Sequence, residues 1–341
     1  MKAESGQGNP VRVILVNPDH PEASLIEEAA SLLRGGGLVA FATETVYGLG
    51  ANALDRQAVG RIFEAKGRPA TNPLIVHIAN SEAAKSLAHW NDRAEKLALG
   101  FWPGPLTIVL PRKSIVPDSV TAGGDTVALR IPNHRVALAL LESAGCPVAA
   151  PSANRSNGLS PTLARHVLES LGNRVDCIVD AGPCAVGIES TVVDLSGPEV
   201  QVLRPGHITP SQIRKVLGEP VSFSIRGNLE KPLKSPGNLE IHYAPRTPLE
   251  LFQNRETWEG RKQQLLAAGK RFGELPDGLD GPESDWVLDP TQWEKKLYKR
   301  LHQLDEQNLD LLLVYVPFHE EEWEGILDRL RRASAPLSKL D

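Results

Sequence analysis

The sequence has few of the features that mark secreted, membrane-spanning or disulfide-stabilised proteins. It has three cysteines in 341 residues, and their spacing fits neither a metal site nor a disulfide framework. It contains no run of about eighteen apolar residues, so we expect no membrane span. Residues 1–10 lack the apolar segment of a secretory signal. These absences predict a cytoplasmic protein with reduced, buried thiols, although Cys184, in a turn rich in Gly and Pro, is a candidate for a reactive thiol.

Several chemistries are disfavoured because their motifs are missing. No G-x-x-x-x-G-K-[ST] P-loop occurs, and the serine of Ala150–Asn154, APSAN, is not in the G-x-S-x-G context of a hydrolase. No cluster of His, Cys and carboxylates has metal-ligand spacing, so we predict no metal site. Gly48-x-Gly50 followed by Ala53 fits a dinucleotide-binding pattern, but residues 69–71 lack the acid expected there. A dinucleotide oxidoreductase is therefore a weak alternative.

Charge is unevenly distributed along the chain. The net charge is −5, and from Pro245 onward there are 14 basic and 19 acidic residues. Residues 1–244 are balanced, with 23 of each sign. A broad basic surface for nucleic acid is therefore not expected, although a small basic pocket is compatible with this balance.

The composition, 41% hydrophobic and 23% charged, is that of a globular protein, and the length suggests two domains. Apolar runs alternate with helical patterns that have Asp55, Ser81 and Asn91 as N-caps, which predicts an α/β fold with a mixed, twisted sheet and flanking helices in residues 1–220. Residues 221–246 are predicted as a linker because they are rich in Gly, Pro and Lys. The predicted strands of the first domain are Val11–Val16, Leu38–Ala42, Leu74–Ile78, Leu106–Leu110, Thr126–Ile131, Pro147–Ala150, Cys177–Asp180, Thr191–Leu195 and Val200–Leu203.

Residues 247–341 show the same alternation and predict a second, smaller α/β domain. Its predicted strands are Leu249–Phe252, Trp286–Leu288 and Leu311–Val316. Its predicted helices are Trp258–Ala268, Gln292–Leu304 and Glu321–Arg332.

A basic loop follows the helix that Asp55 begins. Lys66 lies in the last helical turn, where a cation also stabilises the helix dipole, so a structural role would suffice for it alone. Arg68 lies beyond the helix, where the dipole does not explain it. A planar guanidinium in a loop is suited to a phosphate or a carboxylate.

Other polar residues lie near strand ends. Arg130 is embedded in an apolar strand and needs a partner, which could equally be a structural carboxylate or an anionic ligand. His77, taken alone, is best interpreted as a core histidine. Residues 151–162, PSANRSNGLSPT, are rich in hydroxyl and amide groups, which indicates either a turn or a ligand-binding loop.

Together these segments resemble the YrdC-like threonylcarbamoyl-AMP synthases, in their long two-domain form. The resemblance extends in one order over nearly all of residues 11–217 and continues into the linker at Ser235–Pro245, SPGNLEIHYAP. The motifs that carry it are Thr43–Gly50 (TETVYGLG), KGRP from Lys66 with Asn72-Pro73-Leu74, Phe101–Thr107 (FWPGPLT), Ala128–Pro132 (ALRIP), Pro151–Asn154 (PSAN), Glu189–Asp194 (ESTVVD) and Leu203–Gly206 (LRPG).

The resemblance implies a YrdC-like sheet, a C-terminal domain of Rossmann-like type and a linker that covers the site. It implies condensation of L-threonine, bicarbonate and ATP to L-threonylcarbamoyl-AMP and pyrophosphate, with Mg²⁺ entering with ATP and no tightly bound cofactor. The product would serve the tRNA threonylcarbamoyl transferase, with weak or no direct tRNA binding. A nucleic-acid-binding module is the alternative from a different class, and the neutral first domain argues against it.

The resemblance also implies a role for individual residues. Lys66 and Arg68 would act at the phosphates as the catalytic cations. The threonine site would contain Thr45, His77, Arg130 and Ser190. The ATP site would contain Arg68, Asn72, Thr126, Ser152, Asn154, Ser160, Arg204 and, from the linker, Tyr243.

Two segments depart from the family pattern. The linker has Asn238, Leu239, Glu240 and Ile241 where the family usually has Met and basic residues. The C-terminal domain has residues 320–325, EEEWEG, in place of a glycine-rich turn.

Overall fold

The computed structural model describes residues 11–223, 243–276 and 289–334. Within these ranges the strands form one large and one small sheet. The large sheet has the order β1-β8-β2-β3-β7-β4-β6-β5-β9-β10-β11. Its strands are β1 Arg12–Leu15, β2 Val39–Phe41, β3 Gly48–Asn52, β4 Ile75–His77, β5 Leu106–Pro111, β6 Thr126–Arg130, β7 Val148–Ala149, β8 Cys177–Asp180, β9 Thr191–Asp194, β10 Val200–Arg204 and β11 Val221–Phe223.

The large sheet is mixed, as predicted. Neighbours β4 and β6 are parallel, β5 and β6 are antiparallel, and β5 and β9 are parallel again. The helices of this part are α1 Ala23–Arg34, α2 Arg56–Lys66, α3 Ser81–Leu87, α4 Asp92–Phe101, α5 Asp118–Thr121, α6 Arg135–Ala144, α7 Ala164–Leu171 and α8 Pro210–Leu217.

Local chemistry accounts for the helix ends. The Asp55 side chain accepts hydrogen bonds from the amides of residues 57 and 58, so the predicted cap is confirmed, and Gly67 ends α2 with a φ of 60°. Asn91 caps α4 as predicted. The cap of α3 is Asn80 and not Ser81, because the Asn80 side chain reaches the amide of Ala83.

Gly48 and Gly50, which carry the weak dinucleotide-binding alternative, do not form a turn between a strand and a helix. Both glycines lie inside β3, which pairs antiparallel with β2. A Cβ at Gly50 would lie 2.9 Å from the Phe41 ring and 2.8 Å from Val148 Cγ1, so glycine is required there by packing. The dinucleotide interpretation loses its structural basis.

Three strands were not predicted, and they are β3, β11 and Phe272–Leu275 of the second sheet. β11 pairs with β10 and extends the first sheet to Phe223, three residues past the boundary expected at 220. The boundaries 1–220, 221–246 and 247–341 stay predictions.

The C-terminal domain is a smaller α/β unit with a parallel sheet, as predicted. Its sheet has the order β12-β14-β13. The expected strand Trp286–Leu288 lies outside the described residues. The elements are β12 Leu249–Phe252, α9 Arg255–Ala267, β13 Phe272–Leu275, α10 Pro290–Asp305, β14 Leu311–Tyr315 and α11 Glu324–Ala333.

The two domains share a buried apolar cluster. Val46, Leu159 and Ile188 of the first domain pack with the core of the second, which includes Trp293 and Ile326. Burial of this apolar surface holds the domains together beside the polar residues of the site. None of the helices in the described ranges is both long enough and apolar enough to span a bilayer.

Candidate active site

One face of the large sheet carries the candidate site. His77 on β4 is paired with Arg130 on β6, and Val192 on β9 with Arg204 on β10. Because side chains alternate between faces along a strand, His77, Arg130, Ser190 and Arg204 share one face. The next residues along these strands, such as Leu129, point into the main core.

A cavity of about 40 Å³ opens on this face. Eight of the thirteen site residues expected from the sequence line it, which are Thr45, Arg68, His77, Arg130, Ser152, Ser190, Arg204 and Tyr243. The remaining five lie outside its lining, and they are Lys66, Asn72, Thr126, Asn154 and Ser160. The cavity is therefore lined by residues of the first domain together with Tyr243 from the end of the linker segment.

Arg130 is buried against a carboxylate of the chain. Its Nη2 lies 2.8 Å from Glu44 Oε2, while its Nη1 donates to Thr45 Oγ1 at 2.9 Å. Nη2 and the carboxylate are close, but they are not aligned as a hydrogen bond. Nη2 makes no hydrogen bond to any of the described residues. The structural partner is thus present, and Arg130, which lines the cavity, keeps one donor without a hydrogen bond within the described residues.

His77 is a buried imidazole that can form a further hydrogen bond. Its Nδ1 has no hydrogen-bond partner among the described residues. Burial, and secondarily the charge of Arg130, lowers the pKa of His77 to about 3. The ring is therefore neutral near pH 7 and offers a polar atom to a ligand without adding charge.

Ser190 is held from two sides. Its hydroxyl lies 2.7 Å from Thr107 Oγ1, and its carbonyl oxygen accepts from Arg204 Nε and Nη2 at 3.1 and 2.9 Å. Arg204 Nη2 also donates to the Ser190 hydroxyl at 3.1 Å. Arg204 is only 3% exposed, so its charge acts in a dry environment.

The basic loop is also buried. Arg68 is 7% exposed and donates through Nη2 to the carbonyl of Pro73 at 3.1 Å. Burial, opposed by the Tyr243 hydroxyl and reinforced by Arg204, lowers the pKa of Arg68 to about 10, so it stays charged near neutral pH. Lys66 donates its ammonium to the carbonyls of Ser152 and Asn154, which places it behind the 151–160 loop.

The residues of that loop have different surroundings. Asn154 Nδ2 donates to the carbonyls of Arg155 and Gly158, so this amide shapes the loop itself. Ser160 donates its hydroxyl to the Glu189 carboxylate.

The pKa of Lys66 is shifted by its surroundings. Burial, then the charge of Arg68, lowers this pKa well below its usual range, and a nearby anion would oppose the shift.

Asn72 and Thr126 are not part of the cavity lining, although the Asn72 carbonyl accepts from Arg68 Nε. Asn72 is 1% exposed, yet neither its amide oxygen nor its nitrogen makes a hydrogen bond within the described residues. A buried amide without partners is costly, which favours a ligand at this position. Thr126 begins β6 on the same sheet face as Arg130.

Tyr243 fills the space above the sheet face. It is 1% exposed, has a φ of 63°, and lines the cavity opposite the arginines. Its ring lies 6.2 Å from that of Tyr298 and 5.4 Å from the guanidinium of Arg329, both in the C-terminal domain. The site is therefore closed in this structure.

Four polar residues at the site were missed, and they are Thr43, Glu44, Thr107 and Glu189. Each belongs to a motif that was recognised, but none was assigned a role. A signal existed for Glu44 and Glu189, because acids flanked by small and apolar residues near strand ends need a buried cation.

No resident metal site is evident. In the part of the chain that the structure describes, no three His, Cys, Asp or Glu side chains are placed to hold a metal ion. The two carboxylates at the cavity, Glu44 and Glu189, already face Arg130 and Arg329. The residues present do not form a protein cage for Mg²⁺, which commonly binds through substrate phosphates and water.

The thiols do not contribute a nucleophile. Cys177 and Cys184 are buried, and Cys146 is half-buried. Burial raises the pKa of the Cys184 thiol far above its ordinary value, which disfavours the reactive thiolate.

Comparison with protein families identifies both halves of the chain. The Sua5/YciO/YrdC family model, described as "Telomere recombination", matches residues 31–206. The model described as "Threonylcarbamoyl-AMP synthase, C-terminal domain" matches residues 208–335.

Curated relatives share most of the length. A protein named threonylcarbamoyl-AMP synthase from Pyrococcus abyssi is 43% identical over 318 residues, which cover 91% of this chain and 94% of the relative. A Bacillus subtilis protein of the same name is 47% identical over 303 residues, covering 84% of this chain and 86% of the relative.

A solved structure agrees over both domains. The crystal structure of P. abyssi Sua5 complexed with L-threonine matches with a TM-score of 0.86 at 41% identity, covering 94% of this chain and 97% of that one. Since the family models together span both domains and these relatives extend over nearly the whole chain, the protein belongs to the Sua5/YciO/YrdC family in its two-domain, threonylcarbamoyl-AMP synthase form.

Proposed function

We propose that this chain is a threonylcarbamoyl-AMP synthase that condenses L-threonine, bicarbonate and ATP and releases pyrophosphate. The observation that supports it best is the convergence of three buried guanidinium groups, Arg68, Arg130 and Arg204, on one closed cavity. Three buried cations facing one small space need anionic partners. Within the described residues Glu44 pairs with Arg130 and Glu189 with Arg329, and neither Arg68 nor Arg204 has a carboxylate within ion-pair distance. ATP and the threonine carboxylate supply such anions.

The end of the cavity near β4 and β6 suits the amino acid. The Arg130 guanidinium, whose Nη1 donates to the Thr45 hydroxyl, would receive the threonine carboxylate. The neutral His77 imidazole and the Ser190 hydroxyl would orient the amine and the side-chain hydroxyl. Neutral groups are appropriate here because the amine must be uncharged to attack bicarbonate.

The end near the basic loop suits the nucleotide. Arg68 and Arg204 would face the phosphates, with Lys66 adding charge from behind the loop. The Asn72 amide, which lacks partners, and the hydroxyl of Ser152 would complete the contacts. We assign Asn154, Ser160 and Thr126 to the same nucleotide side, where Asn154 and Ser160 act by shaping the 151–160 loop.

The chemistry requires positioning more than a protein nucleophile. The threonine amine attacks the carbon of bicarbonate, and loss of water leaves an N-carboxylate. A carboxylate oxygen then attacks the α-phosphorus of ATP, a new P–O bond forms, and the bond to the bridging oxygen breaks to release pyrophosphate. Guanidinium groups fixed in a dry site stabilise the charge that builds up on the phosphate oxygens. Mg²⁺ would arrive with the triphosphate and lower its charge.

The closed cavity gives Tyr243 a role. Its volume of about 40 Å³ is far below that of a nucleotide-sized pocket, which is at least about 300 Å³, so we expect Tyr243 to move when ATP enters. Its return would exclude water from the carbamate and the mixed anhydride, both of which hydrolyse. We therefore propose residues 221–246 as a lid between domains 1–220 and 247–341.

The product has a defined use under this proposal. L-Threonylcarbamoyl-AMP carries an activated acyl group that a tRNA threonylcarbamoyl transferase in the cytoplasm would consume. Direct tRNA binding would be weak or absent, since residues 1–244 have equal numbers of basic and acidic residues.

Product analysis tests the proposal. Purified protein is incubated with ATP, Mg²⁺, L-threonine and ¹³C-bicarbonate, and the adenylate is detected by mass spectrometry. We expect a product whose mass contains threonine, the labelled carbon and AMP. Arg130→Met should raise the KM for threonine with little change in that for ATP. A labelled adenylate that forms equally without threonine would refute the assignment.

A further inference from the structure

The C-terminal domain reaches the active site through one buried arginine on α11. Arg329 is 1% exposed, and its Nε donates to Glu189 Oε2 at 2.9 Å. Its Nη2 donates to the backbone carbonyl of Glu189 at 3.1 Å, and its Nη1 to the carbonyl of Pro205. Glu189 lines the cavity, whereas Arg329 does not. Any effect of Arg329 on the reaction must therefore be indirect, through Glu189 and its neighbours or through Tyr243, whose ring lies 5.4 Å from the guanidinium.

Helix α11 can approach this closely because of Gly325, one turn before Arg329. A Cβ at Gly325 would lie 3.1 Å from both Gly206 Cα and Ile188 Cδ1, which is tighter than ordinary contact. Residues four apart lie on the same side of a helix, so Gly325 and Arg329 face the first domain together. The glycine thus sets the distance at which the guanidinium meets Glu189.

The Glu189 carboxylate is fully enclosed by donors. Besides Arg329, it accepts from the Ser160 hydroxyl and from the Tyr298 hydroxyl, the latter at 3.2 and 3.3 Å. Burial alone would raise the pKa of Glu189, but the charges of Arg329 and Arg204 outweigh this and lower it. Glu189 is therefore an anion beside a cavity that we assign to anionic substrates, and without a cation it would repel them.

The backbone next to Glu189 is also fixed by two arginines. Arg329, in the C-terminal domain, donates to the carbonyl of Glu189, and Arg204, in the first domain, donates to the carbonyl of Ser190. Two consecutive peptide groups are thus held by arginines from different domains. The Ser190 hydroxyl faces the cavity from this segment. A shift of either arginine would move that hydroxyl.

We propose that Arg329 is a positioning residue for the reaction, which neutralises Glu189 and fixes the segment that presents Ser190. The C-terminal domain then completes the active site by supplying this cation. The inference rests on the proposed synthase function and goes beyond it. It assigns a task to the C-terminal domain, although no residue of α11 lines the cavity.

Steady-state kinetics of full-length variants test the inference. Arg329→Met leaves the Glu189 carboxylate unneutralised, so kcat/KM for ATP should fall about 10- to 100-fold. The double variant Glu189→Gln/Arg329→Met removes both charges and should be at least threefold more active than Arg329→Met. In Arg329→Met alone, the ratio to wild type should rise as the pH falls, since protonation of Glu189 removes the repulsion. Arg331→Met, which alters an exposed arginine of the same helix paired with Glu324, is the matched control.

The kinetics of these variants distinguish a charge effect of Arg329 from a purely structural role. A folded Arg329→Met variant with wild-type kinetics would overturn the inference. So would a double variant as impaired as the single one at every pH, because that pattern indicates a purely structural role. If Arg329→Met does not fold, Arg329→Lys keeps the charge and must retain more activity than the folded double variant. Wild-type protein without threonine-dependent turnover would instead contradict the proposed function itself.

Discussion

Two glycines in one loop provide a matched test of how the domains dock. Gly182 and Gly187 both have positive φ angles, +83° and +92°. A Cβ at Gly182 would meet nothing within 4 Å, whereas one at Gly187 would lie 2.4 Å from the Glu294 carbonyl and 2.8 Å from Lys295 Cα. Both of the latter atoms belong to the backbone of α10 in the C-terminal domain, which cannot rotate away.

The expected magnitudes follow from these two terms. An alanine at positive φ costs about 1–2 kcal/mol in backbone strain, and both variants carry this cost. Overpacking against fixed backbone adds about 1–3 kcal/mol, and only Gly187→Ala carries it. Gly187→Ala should therefore lower the free energy of unfolding by clearly more than Gly182→Ala.

Urea unfolding of both variants, followed by tryptophan fluorescence, measures the difference. The urea midpoint of the fluorescence change that reports on the C-terminal domain should be lower in Gly187→Ala than in wild type, because Trp293 lies in the shared cluster. Gly187→Ala should also turn over more slowly, since residue 187 immediately precedes the segment held by Arg329. Equal destabilisation by the two substitutions would refute the packing of α10 against this loop.

Three further predictions concern charge and domain content. Arg68→Ala should keep the fold and lower pyrophosphate release about 10²-fold, as for loss of one charge-stabilising donor, whereas an unfolded variant would show Arg68 to be structural. The Glu294 carboxylate, 2.6 Å from His207, raises the pKa of His207, so this contact should stabilise fully below about pH 6.5 and weaken as the pH rises through the raised pKa. Thermal melting of wild type and His207→Gln across pH should therefore converge at high pH, and a constant gap would contradict this. A chain truncated after Phe223 should retain the large sheet by circular dichroism but release no pyrophosphate, and full activity would contradict the lid and the role of Arg329.

Much of the fold follows from local signals in the sequence. Apolar periodicity marked nine of the strands in the large sheet, and Asp55 and Gly67 marked the ends of α2. Strand β3 was missed because its sequence, GLGAN, lacks the branched and aromatic residues that mark strands. Its glycines are required by neighbours that are distant in the sequence, such as Val148, and no local pattern contains that information.

The site could be predicted in part for a similar reason. The alternation of side chains along strands brings His77, Arg130 and Arg204 to one face, and the motifs already contained them. Pairs between distant segments could not be predicted. Arg329 lies 140 residues from Glu189, and nothing near it in the sequence distinguishes it from the other arginines of α11.

Pyrophosphate release from ATP and Mg²⁺ tests the central claim most directly. L-Threonine and bicarbonate are added to the wild-type protein first singly and then together, in bicarbonate-depleted buffer. Our account predicts release only when both are present, because the attacking carboxylate exists only after they combine. Release with either one alone, or none with both, would contradict the proposal that this cavity joins threonine, bicarbonate and ATP.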